Sequence, residues 1–134
     1  MSERVYVAAS FEQREEVRDL HAQVVEAGHT ITADWTTHKE IISIESSEER
    51  EKLKQQYALE DNEGVLTASV YCLLLKDRES TGAHIELGIA LGAHVQLICI
   101  VGQVNETQLF YSHPDIIKLP DTDSFLKLLA QQNN

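Results

Sequence analysis

The sequence predicts an open, parallel α/β sheet of five strands wound on both faces by helices, and three observations predict it. Short apolar runs alternate with segments of helical periodicity along nearly the whole chain. Two of those runs, residues 68–75 and 95–101, are almost continuously apolar, as strands covered on both faces are. Small, polar and aromatic residues gather where such strands would end, and open α/β sheets bind ligands at the carboxyl ends of their strands.

Each element has its own signal. Residues 4–9 (Arg-Val-Tyr-Val-Ala-Ala) are the first strand. Residues 11–27 follow as an amphipathic helix, with Val17, Leu20, Val24 and Val25 at helical spacing and Gly28 as the stop. A second strand is expected over residues 29–35, where Thr30, Thr32 and Asp34 alternate with Ile31, Ala33 and Trp35. Residues 36–46 are polar and irregular, a loop of the kind that carries function. Ser46 and Glu49 form a capping-box pattern that opens a charged helix running to about Asn62, its first turns exposed because few apolar residues precede Tyr57. The two apolar strands come next, with a helix between them that opens near Ser80 and runs to Gly92. Residues 115–119 are a short last strand, Asp121 or Asp123 caps a helix through Leu129, and residues 131–134 are a frayed tail. No repeat or linker interrupts residues 1–134, which suit a single domain in the flavodoxin-like or Rossmann-like order 2-1-3-4-5. The predicted strand ends are residues 8–11, 34–36, 76–82 and 102–105.

Composition narrows the function. Hydrophobic content of 43% and charged content of 25% are those of an ordinary globular protein. No apolar stretch reaches the roughly 20 residues of a membrane helix, and the N-terminus lacks the basic start and apolar core of a signal peptide. The expected location is cytoplasmic, with no membrane partner. A net charge of −11 opposes a surface for polymeric nucleic acid, which needs Lys and Arg opposite phosphates. One mononucleotide can still be held by backbone amides and one or two donors. Cys72 and Cys99 lie in the apolar runs and are expected to be buried, reduced thiols. The six histidines show no i, i+3 or i, i+4 pairing and no Cys-x-x-Cys is present, so no metal site is expected. Neither phosphate-binding glycine motif occurs.

The most informative stretch is residues 80–92, Ser-Thr-Gly-Ala-His-Ile-Glu-Leu-Gly-Ile-Ala-Leu-Gly. Glu86 is its one carboxylate, near the start of an otherwise apolar helix. Burying such a group is costly and usually shifts its pKa, whereas a helix N-terminus favours the ionised form. A desolvated, still ionised carboxylate beside a small-residue loop suits a nucleophile or base. The competing reading is a first-turn Glu that only complements the helix dipole.

Three motifs in order carry a resemblance: Tyr6-Val-Ala-Ala-Ser10-Phe11 on the first strand, Asp61 ahead of the third, and Ser80-x-Gly82-x-x-x-Glu86-x-Gly88 after it. Together they resemble the nucleoside 2-deoxyribosyltransferase superfamily, which includes the 2-deoxynucleoside 5-monophosphate N-glycosidases. The likeness spans nearly the whole chain, and residues 102–111 resemble small phage and bacterial deoxyribosyltransferase-like members. It implies cleavage or transfer at an N-glycosidic bond of a small-molecule nucleoside or nucleotide, without a cofactor. By position, Glu86 matches the family nucleophile that attacks the anomeric carbon. Tyr6 matches the tyrosine that orients it, and Asp61 the aspartate acting near the base or leaving group. Ser80 with Gly82 matches the monophosphate hydrolases, whose serine contacts phosphate where the transferases carry an aspartate. Ser10, Phe11 and Trp35 complete the expected substrate contacts, Trp35 by stacking on a base. The resemblance also implies a homodimer or higher oligomer with its sites near the subunit interface, and Leu109, Phe110 and Tyr111 are apolar enough to meet a partner.

The chain also departs from the hydrolases. Ala9 and Glu12 stand in the first loop where those enzymes carry Gly and basic residues, and Arg14 is the nearest cation. The serine that their neighbouring subunit supplies has no aligned match, Ser112 being only nearby. Structural roles compete at each position: Tyr6 and Trp35 as core aromatics, Asp61 as a surface residue at a helix C-terminus, Ser80 as a helix cap. Two other functions fit the same residues. One is a nucleotide-sensing module without turnover. The other, by fold analogy, is an NAD-cleaving domain of Toll/interleukin-receptor type.

Overall fold

A computed structural model describes residues 2–76, 80–102 and 108–132. Its five strands are β1 (Arg4–Ala8), β2 (Thr30–Ile31), β3 (Val70–Leu74), β4 (Leu97–Val101) and β5 (Ile116–Leu119). They form one all-parallel sheet in the order β2-β1-β3-β4-β5, as the sequence predicts. The helices are α1 (Arg14–Glu26), α2 (Ser47–Leu66), α3 (Thr81–Gly92) and α4 (Thr122–Gln132). Helix α2 packs beside α3, whereas α1 and α4 border a common cleft at the ends of β3 and β4. That two-sided cover explains the apolar runs: every residue of β3 and β4 is buried.

Register places Tyr6 opposite Tyr71 and Cys72 opposite Cys99. Both thiols are free and buried, and burial raises the pKa of each. Where β3 and β4 end, Gly102 adopts φ +118, and a Cβ there would stand 2.8 Å from the Leu75 carbonyl oxygen. Only glycine suits that approach.

Four expectations need correction. The second strand is far shorter than residues 29–35. Its last backbone tie to β1 is Thr32 N–H to the Val5 carbonyl, after which Asp34 accepts from the Thr36 N–H at 3.0 Å and caps a 3-10 turn, Trp35–Thr37. The local side-chain cap wins over the sheet ladder. Trp35 turns inward and donates its indole N–H to the Val7 carbonyl at 2.6 Å. The first helix begins as a separate 3-10 turn, Phe11–Gln13. Helix α2 starts on Ser46, whose hydroxyl accepts from the Glu49 N–H, but continues to Leu66, so Asp61 stands inside the helix rather than at its C-terminus. Finally, Leu109 and Phe110 are exposed, but Tyr111 is buried in its own chain and meets His84 Nε2 at 2.5 Å. The strand ends expected at residues 76–82 and 102–105 lie partly outside the described residues.

Candidate functional site

A cleft of about 180 Å³ opens beyond the carboxyl ends of β1 and β3. In this strand order the chain's winding reverses between those two strands, the crevice where open α/β sheets place ligands. The lining contains Tyr6, Phe11, Trp35, Asp61, Ser80, Gly82 and Glu86 from the sequence-derived set, together with Ala9, His38 and Ala83. Among the described residues no Lys or Arg lines it.

Tyr6 enters from the middle of β1 and is fully buried. Its ring lies parallel to that of Tyr71, centroids 6.1 Å apart, and Tyr71 is anchored by donating its hydroxyl to the Ala83 carbonyl at 2.8 Å. The Tyr6 hydroxyl donates to Glu86 Oε2 in a short hydrogen bond. Burial, and then the negative charges of Glu86 and Asp61, push the Tyr6 pKa upward, so the phenol stays a neutral donor.

Glu86 is the sixth residue of α3. It therefore sits in the second turn, past the stretch where a helix N-terminus acts strongly on charge. This corrects the expectation of a carboxylate held ionised by the helix start. Burial raises Glu86 to about 7, against the opposing donation from Tyr6 and with a further push from Asp61. A carboxyl in that range can take up or release a proton around neutrality.

Asp61 reaches the cleft from α2. Its position follows from Gly64, one turn along the same helix face. A Cβ on Gly64 would stand 2.7 Å from the Ala33 Cβ and 3.0 Å from the Tyr6 ring, so only a glycine lets α2 lie this close over β1. Asp61 Oδ1 is buried and has no hydrogen-bond partner. Burial raises the Asp61 pKa to about 6, His38 lowers it, and Glu60 raises it. Two carboxyls above their ordinary range thus face one cleft.

The remaining predicted residues divide. Phe11 and Trp35 form an aromatic wall with centroids 6.4 Å apart, and the Arg14 guanidinium lies 4.4 Å from the Phe11 ring centroid. Ser80 serves as the cap of α3, its hydroxyl oxygen accepting from the Ala83 N–H at 3.2 Å. Ser10 is not in the lining, and its hydroxyl donates to Gln13 Oε1 at 3.0 Å. Ser112 ends the 3-10 turn Leu109–Ser112 and does not line the cleft. His38 is the member that sequence reasoning missed. Its only signal was its place in the polar loop after the second strand. A larger cleft of about 290 Å³ lies between α1 and α4 with Glu16, Asp19 and Asp121 at its walls. There the hydrogen bonds from Ser124 hold the Asp121 carboxyl below its ordinary range.

The fold and cleft together define an open parallel α/β protein with two half-buried carboxyls at its switch point. No protein-family model matches the chain, and no curated protein matches its sequence. Solved structures do match. A CMP N-glycosidase from Clostridium botulinum aligns over 96% of this chain and 99% of its own, with a TM-score of 0.63 and 16% identity. A 2-deoxyribosyltransferase from the psychrotolerant bacterium Bacillus psychrosaccharolyticus aligns over 92% of this chain and 90% of its own, with a TM-score of 0.66 and 16% identity. At that identity the likeness establishes a common fold over nearly the whole of each chain.

Proposed function

We propose that the protein cleaves or transfers at the N-glycosidic bond of a (deoxy)nucleoside or its 5-monophosphate, with Glu86 as nucleophile. The observation that carries the reading is the part-buried Tyr6–Glu86 hydrogen bond with Asp61 lining the same cleft. The chemistry needs both carboxyls. Glu86 attacks the anomeric carbon as the bond from that carbon to the base nitrogen breaks, giving a glycosyl ester. The departing base takes a proton from Asp61, whose raised pKa keeps part of it in the acid form near neutrality. Water, or a second base, then attacks the anomeric carbon, the bond to Glu86 breaks, and the nucleophile's proton passes to the Asp61 carboxylate, restoring both groups. Tyr6 holds Glu86 through Oε2, leaving the other oxygen to attack, and remains protonated throughout. Phe11 and Trp35 supply apolar faces on which a base can stack.

The fold likeness to a CMP N-glycosidase and a deoxyribosyltransferase supports the reaction class. The test is release of free base, followed by chromatography, from a panel of nucleosides, their monophosphates and NAD. Base released from a nucleoside or monophosphate supports the proposal. Saturable binding without base release, or release of nicotinamide from NAD alone, overturns it in favour of a sensing module or an NAD-cleaving domain.

The reading includes a homodimer or higher oligomer. Exposed Leu109 and Phe110, with exposed Ile85 on α3, leave apolar surface beside the site helix. Light scattering should give a mass above that of one 15.1 kDa chain at micromolar concentration. A monomer mass contradicts this part of the proposal.

A further inference from the structure

The loop after β2 brings one imidazole to the carboxyl pair, and that imidazole is unusually well held. The His38 backbone N–H donates to the Trp35 carbonyl at 3.0 Å. The next residue's N–H, on Lys39, donates to the Tyr57 hydroxyl at 3.0 Å. The His38 ring lies flat on the Tyr57 ring, centroids 3.7 Å apart and planes within 4°. The backbone is therefore fixed within its own loop, and neighbour and ring against α2, leaving the Nε2 edge little freedom. That edge points at two carboxyls, Glu60 Oε2 at 3.4 Å and Asp61 Oδ1 at 3.8 Å.

His38 also separates two clefts. On one side is the site already described; on the other is an open cleft of about 360 Å³ with Asp34, Glu60 and Glu63 in its wall. The titratable groups around the ring are thus Tyr57, Glu60, Asp61 and Glu63 from α2 and Asp34 from its own loop, with Tyr6 and Glu86 across the site. All the carboxyls in that set carry one sign of charge, and His38 is the cationic partner available among these lining residues. The buried Asp61 oxygen without a hydrogen-bond partner faces this edge.

We propose that His38 is a positioning residue for Asp61: stacked on Tyr57 in the wall between two clefts, it presents its Nε2 edge to the carboxyl that meets the leaving base. The kinetic part of this rests on the N-glycosidic reading; the structural part does not. When protonated, His38 favours ionised Asp61, so its presence lowers a pKa that partial burial and Glu60 raise. Its place then sets how readily Asp61 alternates between giving a proton to the base and recovering one.

The experiment follows the Asp61 carboxyl directly, by NMR titration of protein carrying carboxyl-labelled aspartate, with Asp61→Asn to assign the signal. His38→Gln removes the charge and should move the Asp61 midpoint upward from about 6. Tyr57→Leu keeps the imidazole but removes the stack from a half-buried surface position, and should shift the midpoint in the same direction. It also covers the case in which the histidine variant fails to fold. In an active preparation, the pH optimum of base release should rise with the midpoint in both variants. An Asp61 midpoint unchanged by both substitutions overturns the proposal. A midpoint that moves in protein releasing no base from any nucleoside upholds the His38–Asp61 relation and overturns the N-glycosidic reading instead.

Discussion

The Tyr6 hydroxyl donates a hydrogen bond to Glu86 Oε2, tying the middle of β1 to the second turn of α3 across 80 residues of sequence. Tyr6 is fully buried and Glu86 half-buried, and the Tyr6 ring is locked between Tyr71 and the backbone of α2 at Gly64. One carboxylate oxygen is thereby fixed and the other is left for chemistry. A hydrogen bond to a charged group is worth about 1.5–3 kcal/mol.

Tyr6→Phe keeps the ring and its packing but removes that donor. Base-release kcat/KM should fall roughly 10–100-fold, the kinetic equivalent of losing such a bond. The Glu86 midpoint should also rise, because the Tyr6 donation is what opposes its desolvation. Steady-state kinetics across pH check both. Full activity in Tyr6→Phe would remove the tyrosine from the mechanism.

The pH profile follows from the two carboxyls. The proposed mechanism requires Glu86 ionised and Asp61 protonated, while burial raises them to about 7 and about 6 respectively. Only a minority of molecules holds that arrangement, and its share is greatest between the two values. kcat/KM should therefore be bell-shaped, with limbs near 6 and 7 that belong to the coupled pair rather than to either residue alone. A rate still climbing above about pH 8 contradicts the assignment of Asp61 as the acid.

The same burial affects stability. Glu86 binds its proton more tightly in the folded chain, its pKa rising from 4.5 to about 7. The stability this confers is complete below 4.5 and is lost as pH rises through about 7. Glu86→Gln carries no such charge. It should be more stable than the native chain at about pH 8, by roughly 1–3 kcal/mol, and the difference should vanish near pH 4. Urea unfolding at the two pH values measures it. A substitution that destabilises at pH 8 would show that the carboxylate is better solvated than its burial implies.

Much of this architecture was legible in the sequence because it rests on patterns of burial. Residues 68–75 and 95–101 are apolar on both faces, which places them inside the sheet, and Ser46 and Gly28 mark helix ends by local chemistry. The second strand misled because Thr30 to Trp35 alternates as a strand does, yet Asp34 satisfies the Thr36 N–H locally and Trp35 finds the Val7 carbonyl. No window of sequence contains that competition. Glu86 stood out as a lone carboxylate, but its distance from the helix start depended on where Ser80 would cap. His38 was invisible for a different reason. Its partners Tyr57, Glu60 and Asp61 come from α2, and only the folded loop lays the imidazole against them.

The most direct test of the central claim is to trap the intermediate on Glu86. Protein mixed with a deoxynucleoside that it cleaves is quenched in acid, digested and mapped by mass spectrometry. The account predicts a peptide containing Glu86 that is heavier by one deoxyribosyl group, absent from Glu86→Gln, in which base release also falls by several orders of magnitude. Base released at native rates by Glu86→Gln, with no sugar found on the Glu86 peptide of the native chain, would contradict it.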